Sequence, residues 1–396
     1  MRLPRPFAKL TASIASVKTR YRDRHRPTAY RFAITEDLEH LNVAHWEQVT
    51  AGASLFLQRA YLTALGLAPP AGVSLRYALL YREKTPVAAV ACQLIAVDGQ
   101  RLGLKKPLHG LRSRVLVCGN VFSWGAHGVA IAEGEDPDAI WLGVGEALYR
   151  IRRAERLSGE TGMVMVKDLP EAKPPTGLQR LGFRCFATDP DMVLEHANGT
   201  RTFAAYLAAM NAKYRKAAKD TFTAIDRAGC TTETVTDLDD WAERIHALYL
   251  QVHMRAKVRL ATIAPTYLPT LARQLGATNF RATLIHRAGN LLGFVTTLKD
   301  RDTAVGYIIG FDDQTNDEIP LYFRLLYATV EHGLALGCRK LSLGRTALEP
   351  KAKLGAKPVP MHVAMRLRNP ASNAIMRPFL RWVPHGEAPE RTVFKE

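Results

Sequence analysis

The sequence predicts an α+β chain built as two like units, each with a mixed central sheet flanked by helices. Three observations carry that expectation. The chain has 396 residues, enough for two or three domains of about 150 residues and for a large buried core. Strand-forming segments come in runs with helices after them rather than in strict alternation. The order of segments then repeats. A hairpin, a further strand, a loop, a long helix and a strand lead to a Leu-Gly step, first at Leu181-Gly182 and again at Leu354-Gly355, the mark of an internal duplication.

Composition narrows the class. Hydrophobic residues are 47% and charged residues 23% of the chain, which excludes a disordered or fibrous protein. Fifty-four Lys and Arg against 37 Asp and Glu leave a net charge of +17, a field that draws nucleotides, nucleic acid or an anionic lipid surface. The five cysteines are odd in number, widely spaced and without a C-x-x-C pair. Reduced thiols in the cytoplasm are expected, with neither a disulfide framework nor a structural zinc site. The longest apolar stretch, Ala88 to Val97, is about half of a membrane span and contains Gln93,.

Taken in order, residues 1–31 form a basic arm with nine Lys or Arg and only Asp23 against them. Phe7, Leu10, Ile14 and Val17 recur at helical spacing within it, so an amphipathic helix that docks on an anionic membrane surface is one reading. An organellar transit sequence or a passive tail are others. The first unit, 32–200, shows a hairpin of Tyr77 to Tyr81 and Val87 to Val97, then a strand near Arg114 to Cys118. A Gly-rich loop follows over 119–128, and Asp136-Pro137 starts a helix expected to run to about Leu157,. Gly162 to Val166 is the next strand. The second unit, 201–370, opens with helices over Phe203 to Met210, Tyr214 to Ala228, Asp237 to Val258 and Pro265 to Leu275. A three-stranded meander spans 280–311, a helix starts near Pro320 with Asn316 or Asp317 as its cap, and Lys340 to Leu343 is a strand,. Residues 371–396 are a basic tail.

The chain contains no G-x-S-x-G, H-E-x-x-H or G-x-x-x-x-G-K-[ST], which removes the signatures of α/β-hydrolases, zincins and phosphate-loop NTPases. Gly143-Val-Gly145 lies inside a helical segment, where close packing accounts for it. His246 and His253 share a helix face without a carboxylate or Cys at zinc spacing, so no metal site is expected.

The helix running from Tyr206 through Asn211-Ala-Lys-Tyr-Arg-Lys-Ala-Ala-Lys219, the meander, the long helix and the connection from Gly344 to Ala356 occur in that order. This ordered set resembles the Fem-like, tandem-GNAT N-acyltransferases, over about residues 74 to 370. The resemblance implies two GNAT-like (acyl-CoA N-acyltransferase) domains in tandem and transfer of an acyl group from a thioester or tRNA ester to an amine. The Fem pattern Phe-Lys-x-Gly-Phe is matched by residues 352–356 without its two aromatics, which carries a charge-stabilising role onto Lys353.

The implied reaction needs a neutral nucleophile, donors for the oxyanion and a proton for the leaving thiolate. Tyr307, on the strand before the long helix, is the candidate acid, and His127 of the Gly-rich loop the candidate base, with Asn120 beside it. Helix N–H groups near Pro320 would hold phosphate. Tyr214, Arg215, Lys216 and Lys219 on one helix would bind pyrophosphate or a tRNA backbone, and Arg345 joins Lys351, Lys353 and Lys357 in a second cationic set. The co-substrate expected is an acyl-CoA or acyl-carrier thioester, with no permanently bound cofactor, and the acceptor is an amine, lipid-like if the arm seeks membrane. The alternatives are an aminoacyl-tRNA-dependent peptidyltransferase acting on a peptidoglycan precursor, and a non-catalytic polyanion- or membrane-binding protein on the same fold.

Overall fold

A computed structural model describes residues 26–98, 112–197, 200–256, 258–370, 372–373, 389 and 391–395. The first unit contributes β1 (Arg31–Thr35), α1 (Val43–Thr50), α2 (Arg59–Leu67), β2 (Val73–Arg82), β3 (Thr85–Asp98), β4 (Arg112–Cys118), β5 (Val129–Ile131), α3 (Pro137–Ala154), β6 (Thr161–Leu169), α4 (Thr176–Arg180) and β7 (Arg184–Glu195). The second contributes α5 (Phe203–Ala209), α6 (Ala212–Arg227), β8 (Cys230–Val235), α7 (Ala242–Met254), α8 (Tyr267–Asn279), β9 (Phe280–Arg287), β10 (Asn290–Asp300), β11 (Thr303–Phe311), α9 (Asp313–Glu318), α10 (Leu321–Ala335), β12 (Lys340–Ser342), α11 (Leu348–Ala352) and β13 (Lys357–Leu367).

All the strands join one mixed sheet in the order β1-β2-β3-β4-β6-β13-β7-β12-β11-β10-β9-β8, with β5 attached to β3. The order reads the same from either end once the two units are equated strand for strand, which is the duplication in physical form. Each unit lends its last strand to the other: β13 lies against β6, and β7 against β12. The two mixed sheets are therefore fused into one, and the seam between the units runs through the exchanged pair.

The Leu-Gly steps close the short helices α4 and α11 in the same way. Phe183 N donates to Leu178 O and Ala356 N to Lys351 O, while Gly182 and Gly355 take φ of 84° and 94°, the left-handed C-cap that favours glycine. Position 351 is thus the structural counterpart of position 178.

Side chains alternate between two cores, as the strand period requires. Tyr77 and Leu79 of β2 join α1 and α2 to Leu284, Phe294 and Tyr307 of the second unit and to α8 in one shared core. Ala78 and Leu80 pack instead under α3, and α10 covers the corresponding face of the second unit. Helix α3 starts as its sequence dictates, with Asp136 accepting from Asp138 N and proline in the first turn. A Cβ on Gly143 would come within 2.6 Å of Tyr30, and one on Gly145 within 2.1 Å of Leu181, so both glycines are there for close packing.

Several boundaries differ from the sequence expectation. Helix α3 stops at Ala154 and continues as a 3-10 turn to Ser158, and the helix expected from Asp237 begins at Ala242 after a 3-10 turn. Strands β1, β8 and β13 and helices α1 and α2 were not anticipated. Pro358 and Pro360 disguise β13, because proline is rare inside a paired strand, and β8 is polar and mostly exposed. The arm's helix and the turn at Asp98-Gly99 lie outside the described residues. Of the basic tail, Val393 is buried and Asn211 Nδ2 donates to Thr392 O and Phe394 O, so this piece of the tail is docked onto the second unit.

Candidate active site

The parallel strands of the two units part differently. In the first, β4 pairs with β6 from Arg114 to Cys118, to its end. In the second, β11 pairs with β12 only over Thr303–Val305 and then runs on to Phe311. Beyond Val305 the strands splay into a mouth whose edge carries backbone groups of β11. On the opposite edge a bulge in β10 lets Thr296 Oγ1 serve both Ile308 N and Ile308 O.

The Gly-rich loop of the first unit reaches this mouth. Lys167, at the end of β6, donates from Nζ to Asn120 O at 2.9 Å and Ser123 O at 2.7 Å, and Gly125 N donates to Asp168 Oδ2 at 3.2 Å. The loop so held presents Trp124, whose Nε1 donates to Ser342 Oγ at the end of β12. The indole lies against Gly344, where a Cβ would sit 3.0 Å from the ring and where φ is 85°. Asp191 of β7 accepts from Ser342 Oγ at 2.6 Å and from Gly344 N at 2.9 Å. Arg345 bonds Asp168 Oδ1 at 2.9 Å and Asp189 O at 3.0 Å.

Lys351 completes the cluster. It is 4% exposed, faces the field of Asp191, and burial lowers its pKa to about 8. Burial also lowers Lys167 and raises Asp191, as expected where charged forms leave water. Three cations and two carboxylates thus meet at the seam, drawn from both units.

Next to it lies a ring of three hydroxyls. Tyr307 Oη is 2.6 Å from Tyr267 Oη and 2.9 Å from Tyr61 Oη, and the latter two are 3.1 Å apart. Each can donate one bond and accept one around the ring. Asn120 Nδ2 donates to Tyr61 at 2.5 Å. Desolvation holds Tyr307 well above the ordinary tyrosine range, so it stays protonated. His127 stacks on Phe56 with centroids 4.5 Å apart and bonds Trp124 O through Nε2 at 2.8 Å. Burial lowers its pKa, which keeps the ring neutral.

The other residues singled out from sequence fall elsewhere. Lys353 is the C-cap of α11, with its side chain 47% exposed and 3.9 Å from Glu349. It lines a cavity of about 330 Å³ together with Lys213, Tyr214, Phe323, Tyr327 and Arg391. Arg215 turns to the carbonyls of Ala208 and Met210 at the end of α5. Lys216 and Lys219 are exposed on α6 and do not line that cavity. At Pro320, Asn316 Oδ1 accepts from Tyr322 N at 2.9 Å, and the short helix just before it in the chain, Asp313–Glu318, is acidic. One N–H of that terminus is thus taken by Asn316 and the preceding helix is acidic, so it is not retained as a phosphate site. His246 and His253 bond Ile263 O and Thr262 Oγ1. Among the described residues no three His, Cys, Asp or Glu side chains gather as a metal would require.

Sequence reasoning passed over Tyr61, Tyr267, Trp124, Lys167, Asp168, Asp191 and Ser342, and grouped Lys351 with its exposed neighbours. One signal was available for Lys351. Counting back three residues from each Leu-Gly step pairs it with Leu178, which is 0% exposed, so a lysine there sits at a core position.

Comparison with known proteins agrees with this architecture. The family model described as an acetyltransferase (GNAT) domain matches residues 208–352. FemX superimposes with a TM-score of 0.53 at 10% identity, over 87% of this chain and 99% of that one. A tandem GNAT protein from the clavulanic acid biosynthesis pathway does so with a TM-score of 0.50 at 14% identity, over 86% and 99%. No curated protein matches the sequence. The chain has a tandem GNAT fold. The match to the GNAT family model falls within its second unit.

Proposed function

We propose that the protein is an N-acyltransferase that joins an acyl-CoA or acyl-carrier thioester to an amine, and that the reaction takes place in the splayed mouth of the second unit. The observation that carries this reading is Lys351, a buried amine in the field of Asp191, the carboxylate that holds Ser342 and Gly344 where β12 ends and β11 runs on. A perturbed group in such a setting is the usual mark of a working acid or base.

The amine nitrogen attacks the thioester carbonyl carbon while Lys351, in its neutral form, takes the proton the nitrogen sheds. Backbone N–H groups of β11 stabilise the oxyanion. The C–S bond then breaks, the amide forms, and the thiolate takes a proton from Tyr307; the proton that Lys351 took from the amine is released to solvent, and one from solvent restores the Tyr307 hydroxyl as the products leave. His127 positions the loop through Trp124 rather than acting as the base. The cavity behind α11, with aromatic walls and Lys213, Lys353 and Arg391 at its rim, suits the anionic end of the donor, so Lys353 is assigned to binding. The basic arm is retained as a membrane contact, which makes a lipid-like amine the favoured acceptor and the cytoplasmic face of a membrane the favoured location.

The test is release of free thiol from acetyl-CoA and from palmitoyl-CoA in the presence of a panel of primary amines, with and without ribonuclease. The reading predicts amine-dependent, ribonuclease-resistant thiol release that falls about a hundredfold in Tyr307→Phe. No amine-dependent release from either thioester would refute it. Ribonuclease-sensitive transfer from charged tRNA would favour the peptidyltransferase reading, for which the exposed Lys216 and Lys219 speak.

A further inference from the structure

A large concavity lies at the C-terminal end of α3 in the first unit. Helix α3 spans about 27 Å at 1.5 Å per residue, and its C-terminal turns wall a groove of about 1350 Å³ lined by Arg26, Arg150, Arg153, Arg180 and Arg366. A smaller hollow of about 350 Å³ adjoins it, sharing Tyr149 and Arg153 and adding Arg152, Arg156 and Arg368. The carboxylates within reach are taken: Glu146 accepts from Thr28 N and Oγ1 and from Arg150, and Glu160 is held by Arg368. Among the described residues Arg153, Arg156 and Arg180 form no ion pair. Burial together with the like charges of Arg368 and Arg156 lowers the pKa of Arg152, so this cluster is held against its own repulsion.

The groove is not only basic. Leu142 and Leu181 form part of its lining, and Leu157 at its rim is 100% exposed. Among the described residues all its cations are arginines, whose planar fork matches phosphate oxygens two at a time. A soluble anion has no use for the leucines, and RNA would engage the arginines alone. An amphiphile with a phosphate head answers to both. In sequence, Arg26 of this lining follows the basic segment that carries Phe7, Leu10, Ile14 and Val17.

We infer that this groove docks the protein on a bilayer by binding an anionic phospholipid, its phosphate between the arginines of α3 and α4 and its chain along Leu142, Leu157 and Leu181. The site is separate from the mouth of the second unit. It rests on the acyltransferase reading only in that it would bring a lipid-like acceptor close to the enzyme.

Cosedimentation of the full chain with vesicles of phosphatidylcholine, alone or with about one third phosphatidylglycerol, tests it. The wild type should bind the anionic vesicles and not the neutral ones. Arg153→Ser/Arg156→Ser/Arg180→Ser should bind them about a hundredfold more weakly, at about fivefold per charge, and Leu157→Asp should weaken binding with all the arginines in place. Amine-dependent thiol release from acetyl-CoA should be unchanged in both variants. Equal binding by the wild type and the triple variant, or by the two kinds of vesicle, would overturn the proposal. So would tRNA binding that the triple variant loses while its vesicle binding is intact, which would make the groove an RNA site. Vesicle binding that depends on the arginines without any thiol release would leave the groove standing and remove the acyltransferase reading instead.

Discussion

The two units share one strand order, yet they treat the gap between their parallel strands in opposite ways. In the first, β4 and β6 stay paired to Cys118, and Leu178 stands in the packed interior beneath α3. In the second, β11 leaves β12 after Val305, and the place of Leu178 is held by Lys351, equally buried but ionisable. Burying an ammonium is costly unless its charge is matched, and here Asp191 supplies only a field. The lesson is that duplication leaves one copy free to be a rigid packing block, which also supplies the loop with Trp124, while the other keeps an unfavourable group where chemistry can use it.

Substitutions at the paired positions are the sharpest way to break this comparison. Lys351→Met should lower amine-dependent thiol release by about a thousandfold, within the range of general acid–base catalysis. The same change should stabilise the protein at pH 7 by about 1 to 3 kcal/mol, since it removes a lysine whose pKa is depressed by burial. A thiol assay and a thermal melt on one sample check both, and a loss of stability with activity retained would show a structural lysine. The converse change, Leu178→Lys, puts an unmatched ammonium into the first unit and should cost about 3 kcal/mol in denaturant unfolding; a cost under about 1 kcal/mol would mean that the two sites are equally permissive. Lys353→Ala, at the C-cap of the same helix, should show the smallest effect: a rise in KM for the donor of less than about tenfold, with kcat unchanged. A fall in kcat instead would restore the charge-stabilising role that the Fem pattern implies.

The legible parts of the molecule are those with local signals. Turns at Glu83 and Ala288, the Asp136-Pro137 cap and the periodicity of the long helices are written in short windows, and the repeated Leu-Gly step revealed the duplication. The strand exchange was not legible, because β13 carries two prolines and its partners lie some 170 to 200 residues earlier in the chain. The site was legible only in pieces. Asn120, His127, Tyr307 and Arg345 stood out by type and context and do meet near the seam. Tyr61 and Tyr267 looked like ordinary core aromatics, since each comes from a separate helix and their hydroxyls converge only after α2 packs on α8. Lys351 and Lys353 differ by two positions, and nothing in a linear reading says which side of a short helix faces the sheet.

The account stands on the second unit's mouth holding the acyl donor next to a neutral Lys351, and alkylation by chloroacetyl-CoA followed by peptide mass spectrometry tests that directly. Displacement of chloride by the lysine nitrogen would leave the label on Lys351. Its rate should rise as pH increases through about 8, because a pKa lowered to that value sets where the amine becomes neutral. Label confined to Lys353, to the first unit or to scattered surface lysines, or a rate that climbs only near the ordinary lysine range, would contradict the assignment.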